Sequence, residues 1–158
     1  MTGAAACANV AEVGVRIVPV GHGNWRAVAD LEVADDQRRF VAPTTRYLSL
    51  THLGEQGWAP LAILANGETV GFAMWAHDPT DDAYWIGGLL IDRTHQRRGY
   101  GRASMRALIA MARASGAPCV KLSYDSENRV ARALYADLGF RETGEIEGGE
   151  IVASLDLE

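Results

Sequence analysis

The spacing of apolar residues along this chain changes period several times, and each change marks an element. Val15, Ile17 and Val18 form a β-branched run closed by Pro19 and Gly21, which predicts a short first strand. Asn24 can cap a helix carrying Trp25, Val28, Leu31 and Glu32; residues 34–43 read as a loop. Thr44 or Thr45 then opens a second short helix through Tyr47, Leu48 and Leu53. Trp58–Leu64 and Thr69–Trp75 are strands around Asn66-Gly67, a strong hairpin signal. An acidic turn, Asp78–Asp82, leads into the apolar run Tyr84-Trp85-Ile86-Gly87-Gly88-Leu89-Leu90-Ile91, short and sharply bounded like a buried strand. Past the polar loop Asp92–His95 the period lengthens. Met105, Leu108, Ile109 and Ala112 share one helical face, and Gly116 sits where a helix-stopping glycine belongs. Pro118–Tyr124 is again a strand, with Val120, Leu122 and Tyr124 on one face. Val130, Leu134 and Leu138 mark a helix that Gly139 ends; Phe140 begins a strand, Glu145–Glu150 is a polar turn, and Ile151–Leu157 is the last strand.

Three consecutive strands joined by tight turns make an antiparallel meander. The class is therefore α/β (α+β), with a mixed, mostly antiparallel sheet of about seven strands and about four helices. A doubly wound dinucleotide domain would place helices between those strands instead.

Composition narrows this to one domain. The chain has 158 residues, 48% of them hydrophobic, enough for a sizeable core. Residues 15–158 should form that domain, with 1–14 a disordered N-terminal segment. No Lys or Arg precedes Arg16, and no apolar run approaches membrane length, so a cytoplasmic protein is expected. Cys7 and Cys119 form no CxxC pair and fit a reducing compartment. His22, His52, His77 and His95 lack ligand spacing, so no metal is expected.

Charge adds a location. The chain carries a net −5, yet Arg93 to Arg106 contains five arginines and no acid, leaving −10 for the remainder. One basic loop on an acidic protein suits a small anionic ligand, not nucleic acid or a membrane surface. That loop, Gln96-Arg97-Arg98-Gly99-Tyr100-Gly101-Arg102, follows a strand and opens a helix. Free N–H groups of a helix's first turn converge on an anion, and glycines let the backbone approach it. Alone, the loop is ambiguous. It is one residue away from a dinucleotide fingerprint, with Asp125 near the distance of a ribose-binding acid; equally, it fits an ordinary strand-to-helix turn with a solvated basic face.

The rest of the chain resolves that ambiguity by resemblance. With Gln96-x-x-Gly99-x-Gly101 after the central strand and Asn128-x-x-Ala131-x-x-Leu134-Tyr135-x-x-x-Gly139-Phe140 further on, in this element order, the chain resembles the GNAT superfamily of N-acetyltransferases from about Val15 to Leu157. Phe40-Val41-Ala42-Pro43, Gly57-Trp58-Ala59-Pro60-Leu61-Ala62 and Leu122-Ser123-Tyr124 look more narrowly like the bacterial spermine/spermidine acetyltransferases. One departure is Gly88, where that subgroup is expected to carry an arginine.

The resemblance implies acetyl-CoA as co-substrate and a GNAT acyltransferase fold. Backbone groups of Leu89, Leu90 and Ile91 would run beside the pantetheine arm, and a bulge there would expose an N–H to the thioester oxygen. The N–H groups of Arg97, Arg98, Gly99, Tyr100, Gly101 and Arg102 would hold the pyrophosphate, with Gln96 a side-chain contact at the start of the loop. Asn128 would face the pantetheine, cap its helix, or do both. Tyr135 is the implied general acid: a thiolate leaving group has a conjugate-acid pKa of ~8.5, and a phenol of ~10 is a workable donor to it; alternatively Tyr135 is a packed helix tyrosine. An acceptor ammonium of pKa ~10.4 is neutral only about once in 2,500 molecules at pH 7, a handicap of ~4.6 kcal/mol, so a base is needed. Histone-type relatives keep a Glu on the central strand, where this chain has Trp85; Glu32, Asp92, Asp125 and Glu127 remain as candidates. Trp75, Trp85 and Tyr124 complete a candidate acceptor site with Glu32 and Asp125, the tryptophans serving as core, wall or cation–π partner.

The acceptor implied is a small polycation such as spermidine or spermine, suited to the acidic remainder of the chain. Rival readings are another amine, as on an aminoglycoside or a protein N-terminus, and a non-catalytic acyl-CoA-binding module. Homodimerisation is left open.

Overall fold

A computed structural model describes residues 13–54 and 56–158. The disorder expected of residues 1–14 therefore lies, for 1–12, outside the described residues. Seven strands and four α-helices follow in the order β1 (Arg16–Pro19), α1 (Trp25–Ala29), α2 (Thr44–Leu53), β2 (Ala59–Ala65), β3 (Glu68–Asp78), β4 (Ala83–Ile91), α3 (Tyr100–Ala114), β5 (Cys119–Tyr124), α4 (Arg129–Asp137), β6 (Arg141–Glu147) and β7 (Glu150–Asp156). All strands join one sheet in the order β1-β2-β3-β4-β5-β7-β6. The mixed α/β class expected from the pattern is what the chain forms.

Two elements differ from the sequence reading. The first helix is barely more than one turn: Leu31 and Glu32 lie past its end. Asn24 does not cap it; its side-chain oxygen accepts from the Gly21 N–H at 2.8 Å and its amide donates to the Pro19 carbonyl at 3.1 Å. The polar turn of residues 145–150 is narrower than expected, because Gly148 and Gly149 both take positive φ and let β6 and β7 pair up to Glu147–Glu150.

The meander obeys its turn chemistry. Asn66 (φ 52°) and Gly67 (φ 76°) are both left-handed, as a tight hairpin between β2 and β3 requires. Alternation then sorts the side chains onto two faces. One face packs Leu61, Ile63, Ile86, Val120 and Leu122 against Met105, Leu108, Ile109 and Ala112 of α3. The opposite face packs Ala62, Phe72, Met74 and Leu90 beneath Val28 and Leu31, with Tyr47 and Leu48 of α2 alongside.

The site is created by a defect in this sheet. Among the described residues β4 and β5 are the only parallel neighbours, and they pair over just Tyr84–Val120, Trp85–Lys121 and Ile86–Leu122. Against β3, β4 carries one extra residue: Met74 pairs with Gly87, but Phe72 pairs with Leu90. Gly88, at φ +60°, occupies that bulge. A bulge bends and twists its strand, so β4 swings away from β5 and leaves a wedge.

Gly88 is thus a backbone requirement. A Cβ there would stand 3.3 Å from the Phe72 ring and 3.4 Å from Tyr47, in a conformation costing L-residues about 1–2 kcal/mol. Gly88→Ala should lower the melting temperature by about 2–4 °C per kcal/mol lost. A parental melting temperature would show that the strand relaxes freely at this point.

Candidate active site

A cleft of about 570 Å³ fills the wedge. Its floor is Leu89, Leu90 and Ile91 of β4. One wall is the segment after α1, with Val33, Gln37, Phe40 and Val41; the other is α4, with Asn128, Val130, Leu134 and Tyr135. His95, Gln96, Arg97, Gly99, Tyr100 and Gly101 close one end. Among the described residues no strand completes the β4 ladder on the β5 side beyond Ile86, so an extended ligand could lie there as a strand would.

The loop at the closed end has the backbone geometry that an anion would require. Arg97 (φ 62°) and Gly99 (φ 82°) are left-handed, and Gly99 enters α3 without any side-chain cap. The Ala103 N–H is bonded to the Gly99 carbonyl, so the N–H groups of the preceding first-turn residues are the ones left for a ligand. No acidic residue sits in that turn, and the dipole of the fifteen-residue helix adds positive potential. A Cβ on Gly101 would have nothing nearer than Leu134 at 3.9 Å, so the cleft is open beside it. These features fit a diphosphate carried on an extended arm.

Other implied residues take different positions. The Gln96 amide donates to the Ile91 carbonyl at 2.9 Å and to Gln37 Oε1 at 2.6 Å, tying the cleft wall to the end of β4. Arg98 and Arg102 are not among the lining residues, and Arg102 pairs with Asp137 at 3.1 Å. Asn128 caps α4 by accepting from the Ala131 N–H at 3.3 Å while it lines the cleft, so the two readings of that residue are compatible.

Tyr135 enters from α4, its ring against Tyr124 (5.6 Å between centroids) and Phe140 (5.9 Å). Tyr135 is half-buried and lines the cleft. That burial, with the negative charge of Glu150 and the neighbouring Tyr124, pushes its pKa up to about 12. The phenol therefore keeps its proton at every working pH.

None of the five expected acceptor residues lines the cleft. Tyr124 is buried beneath α4 and donates to Glu142 at 2.9 Å; burial and that bond raise its pKa to about 12. Trp75 packs on the α3 face against Tyr84, with ring centroids 4.5 Å apart. Trp85 lies on the opposite face, where Lys121 reaches over its ring at 5.8 Å and bonds to Asp81. Glu32 pairs with Arg93 at 3.4 Å, and Asp125 accepts from the Glu127 N–H at 2.8 Å.

The other base candidates are engaged too. Glu127 pairs with Arg39 at 2.9 Å. Burial pushes the Asp92 carboxyl up, but bonds from the Glu32 N–H, Thr94 and His95 outweigh it and hold the group below the usual carboxylate range. What sequence reasoning missed is the cleft wall formed by Val33, Gln37, Phe40 and Val41, most of it read as plain loop, because only the fold lays that segment beside β4. Among the described residues, no group of three or more His, Cys, Asp or Glu could hold a metal, and no helix is long and apolar enough to cross a membrane.

A split parallel pair, a bulged strand facing the gap and an uncapped glycine entry to the following helix together describe an acyltransferase fold. Residues 25–140 match the acetyltransferase (GNAT) family, to which this chain belongs. It is an N-acetyltransferase. A similar protein is the spermine/spermidine N(1)-acetyltransferase of Bacillus subtilis (strain 168), 29% identical over 152 residues, which span 90% of this chain and 99% of that relative. In fold, the chain resembles the spermidine N-acetyltransferase of Vibrio cholerae, whose crystal structure holds CoA and spermine, at TM-score 0.71 and 15% identity over 90% of this chain and 95% of that one. The ribosomal-protein-S18-alanine N-acetyltransferase of Escherichia coli is similar at TM-score 0.68 and 23% identity, over 92% and 95%.

Proposed function

We propose that the protein transfers the acetyl group of acetyl-CoA to a primary amine of a small polycation, spermidine or spermine, by direct attack on the thioester. The observation that carries this reading is the wedge itself, with the anion cradle at one end and the Tyr135 phenol beside the diverging strands. Acetyl-CoA supplies an activated acyl group on a thiol leaving group. The chain's residues do the rest: first-turn N–H groups of α3 bind the diphosphate, β4 orients the arm, and Tyr135 donates to the departing sulfur.

Two points support a polyamine acceptor. Polyamine acetyltransferases are among the relatives at full length. On the sheet face opposite α3, Glu150 also brings a negative charge to Ser123, just past the last β4–β5 pair. A negative entrance raises the local concentration of a polycation.

Thiol release measured over an amine panel tests this. Spermidine should be among the best acceptors, and its kcat/KM should fall as salt rises, because screening shortens the field's reach to ~8 Å at physiological strength. A neutral amine preferred over every polyamine would overturn the polyamine assignment. Binding of acetyl-CoA without turnover of any amine would support a binding module instead.

A further inference from the structure

Glu150 opens β7, where Val152 pairs with Ser123 and Ile151 with Tyr124. Ile151 and Ala153 face the α3 core, so alternation turns Glu150 to the opposite face. Gly87 and Gly88 face that same side, toward Trp58 and Tyr47. Ser123 lies one residue beyond the last β4–β5 pair, and its hydroxyl donates to Glu150 Oε1 at 3.3 Å. The carboxylate thus stands where the two strands have just parted.

Its surroundings mark it out from the other acids. Glu32, Asp92, Asp125 and Glu127 are each held by a cation or an N–H, as described above. Glu150 has no ion-pair partner among the described residues. Tyr47 of α2 and Tyr135 of α4 lie within range of its charge, Arg46 stands near Tyr47, and Glu147 is directly across the hairpin. Lys121 lies further along the same face of β5, engaged with Asp81. After burial, the charge of Glu150 is what raises the hydroxyls of both Tyr135 and Tyr47, although these come from opposite faces of the sheet. Glu150 is therefore within electrostatic reach of both sides of the wedge.

From this geometry we infer that Glu150 is a catalytic residue: its carboxylate receives the acceptor ammonium on the face opposite Tyr135 and takes its proton. The inference rests on the acetyl-transfer reading. The nitrogen loses one proton to Glu150, which passes it to water. The freed electron pair forms the C–N bond as the C–S bond breaks. A second proton leaves nitrogen and reaches sulfur by way of the Tyr135 hydroxyl. Two protons leave nitrogen and one arrives on sulfur, so one is released per turnover. Glu147, opposite and of like charge, favours a cationic visitor over a neutral one.

The test compares the parent enzyme with Glu150→Gln, which keeps shape and removes the charge. At pH 7 the variant should lose about 10²-fold or more in kcat/KM for spermidine, while its melting temperature and acetyl-CoA affinity stay parental. The deficit should shrink about tenfold per pH unit as pH rises toward ~10.4, because the amine then arrives neutral and needs no base. Glu150→Asp should restore part of the rate. A deficit that does not change with pH, a rise in KM at parental kcat, or no deficit at all would each overturn the assignment. Should the parent acetylate some other primary amine but not spermidine, only the polyamine reading fails, and the same comparison on that amine decides the role of Glu150. An enzyme that acetylates no primary amine would overturn both.

Discussion

Tyr135→Phe should lower kcat by about 10²–10⁴-fold while acetyl-CoA still binds and the protein still folds. No described residue forms a hydrogen bond with the Tyr135 hydroxyl, so its removal strands no partner; the ring contacts with Tyr124 and Phe140 remain available to phenylalanine. The kinetic loss should shrink with an acyl donor whose leaving thiol is more acidic, since that thiolate needs less help from a donor. A packing role predicts the reverse pattern, a lowered melting temperature at parental kcat. The pH dependence of stability gives a second readout. The Tyr135 phenol is neutral in the fold up to about pH 12 but ionises near its ordinary value of 10 once unfolded. Its contribution is therefore fully present below pH 10 and lost as pH rises toward 12. Removing the hydroxyl should make alkaline unfolding in that window less steep. A stable variant with parental kcat would remove Tyr135 from the slow step.

Gly101→Val should weaken acetyl-CoA binding by more than tenfold, over ~1.4 kcal/mol, without destabilising the protein. Gly101 lies in α3 with an ordinary backbone, where glycine is itself a poor helix former, and its missing side chain leaves open cleft rather than core. A valine there projects toward the space proposed for the diphosphate. Gly99→Val is a different experiment: φ is +82°, so that variant should lose stability as well as affinity. Calorimetry on the two variants, with melting curves beside it, separates cleft filling from backbone strain. Acetyl-CoA affinity of folded Gly101→Val within about twofold of the parent would defeat the assignment of this loop.

Much of this protein is local, and local features can be read in order. The Asn66-Gly67 turn, the apolar run of β4, the 3.6-residue period of α3 and the glycines ending the helices act through neighbours a few residues away. Their elements stand where the pattern puts them. The cradle at Gly99–Gly101 is equally local, because a helix start carries its free N–H groups wherever it occurs.

The acceptor side is not local. Tyr124 and Trp75 have the composition of a substrate site, yet alternation turns both toward the α3 face, where burial of aromatic area outweighs any use at the surface. Glu32 and Asp125 are bound by Arg93 and the Glu127 N–H, partners that no spacing announces. Gly88 looked like a missing arginine; in the sheet it is the left-handed residue that lets β4 bulge. Glu150 sits in a glutamate-rich hairpin indistinguishable from solvated surface until β7 pairs with β5 and carries it to the mouth of the wedge. The sequence by itself determined most of the elements, the class and the glycine-containing loop that opens α3, since each depends on contacts within one turn or one hairpin. Only the tertiary structure decided which face of the sheet each acid and aromatic occupies, because that depends on strand order and on where a single bulge parts two strands.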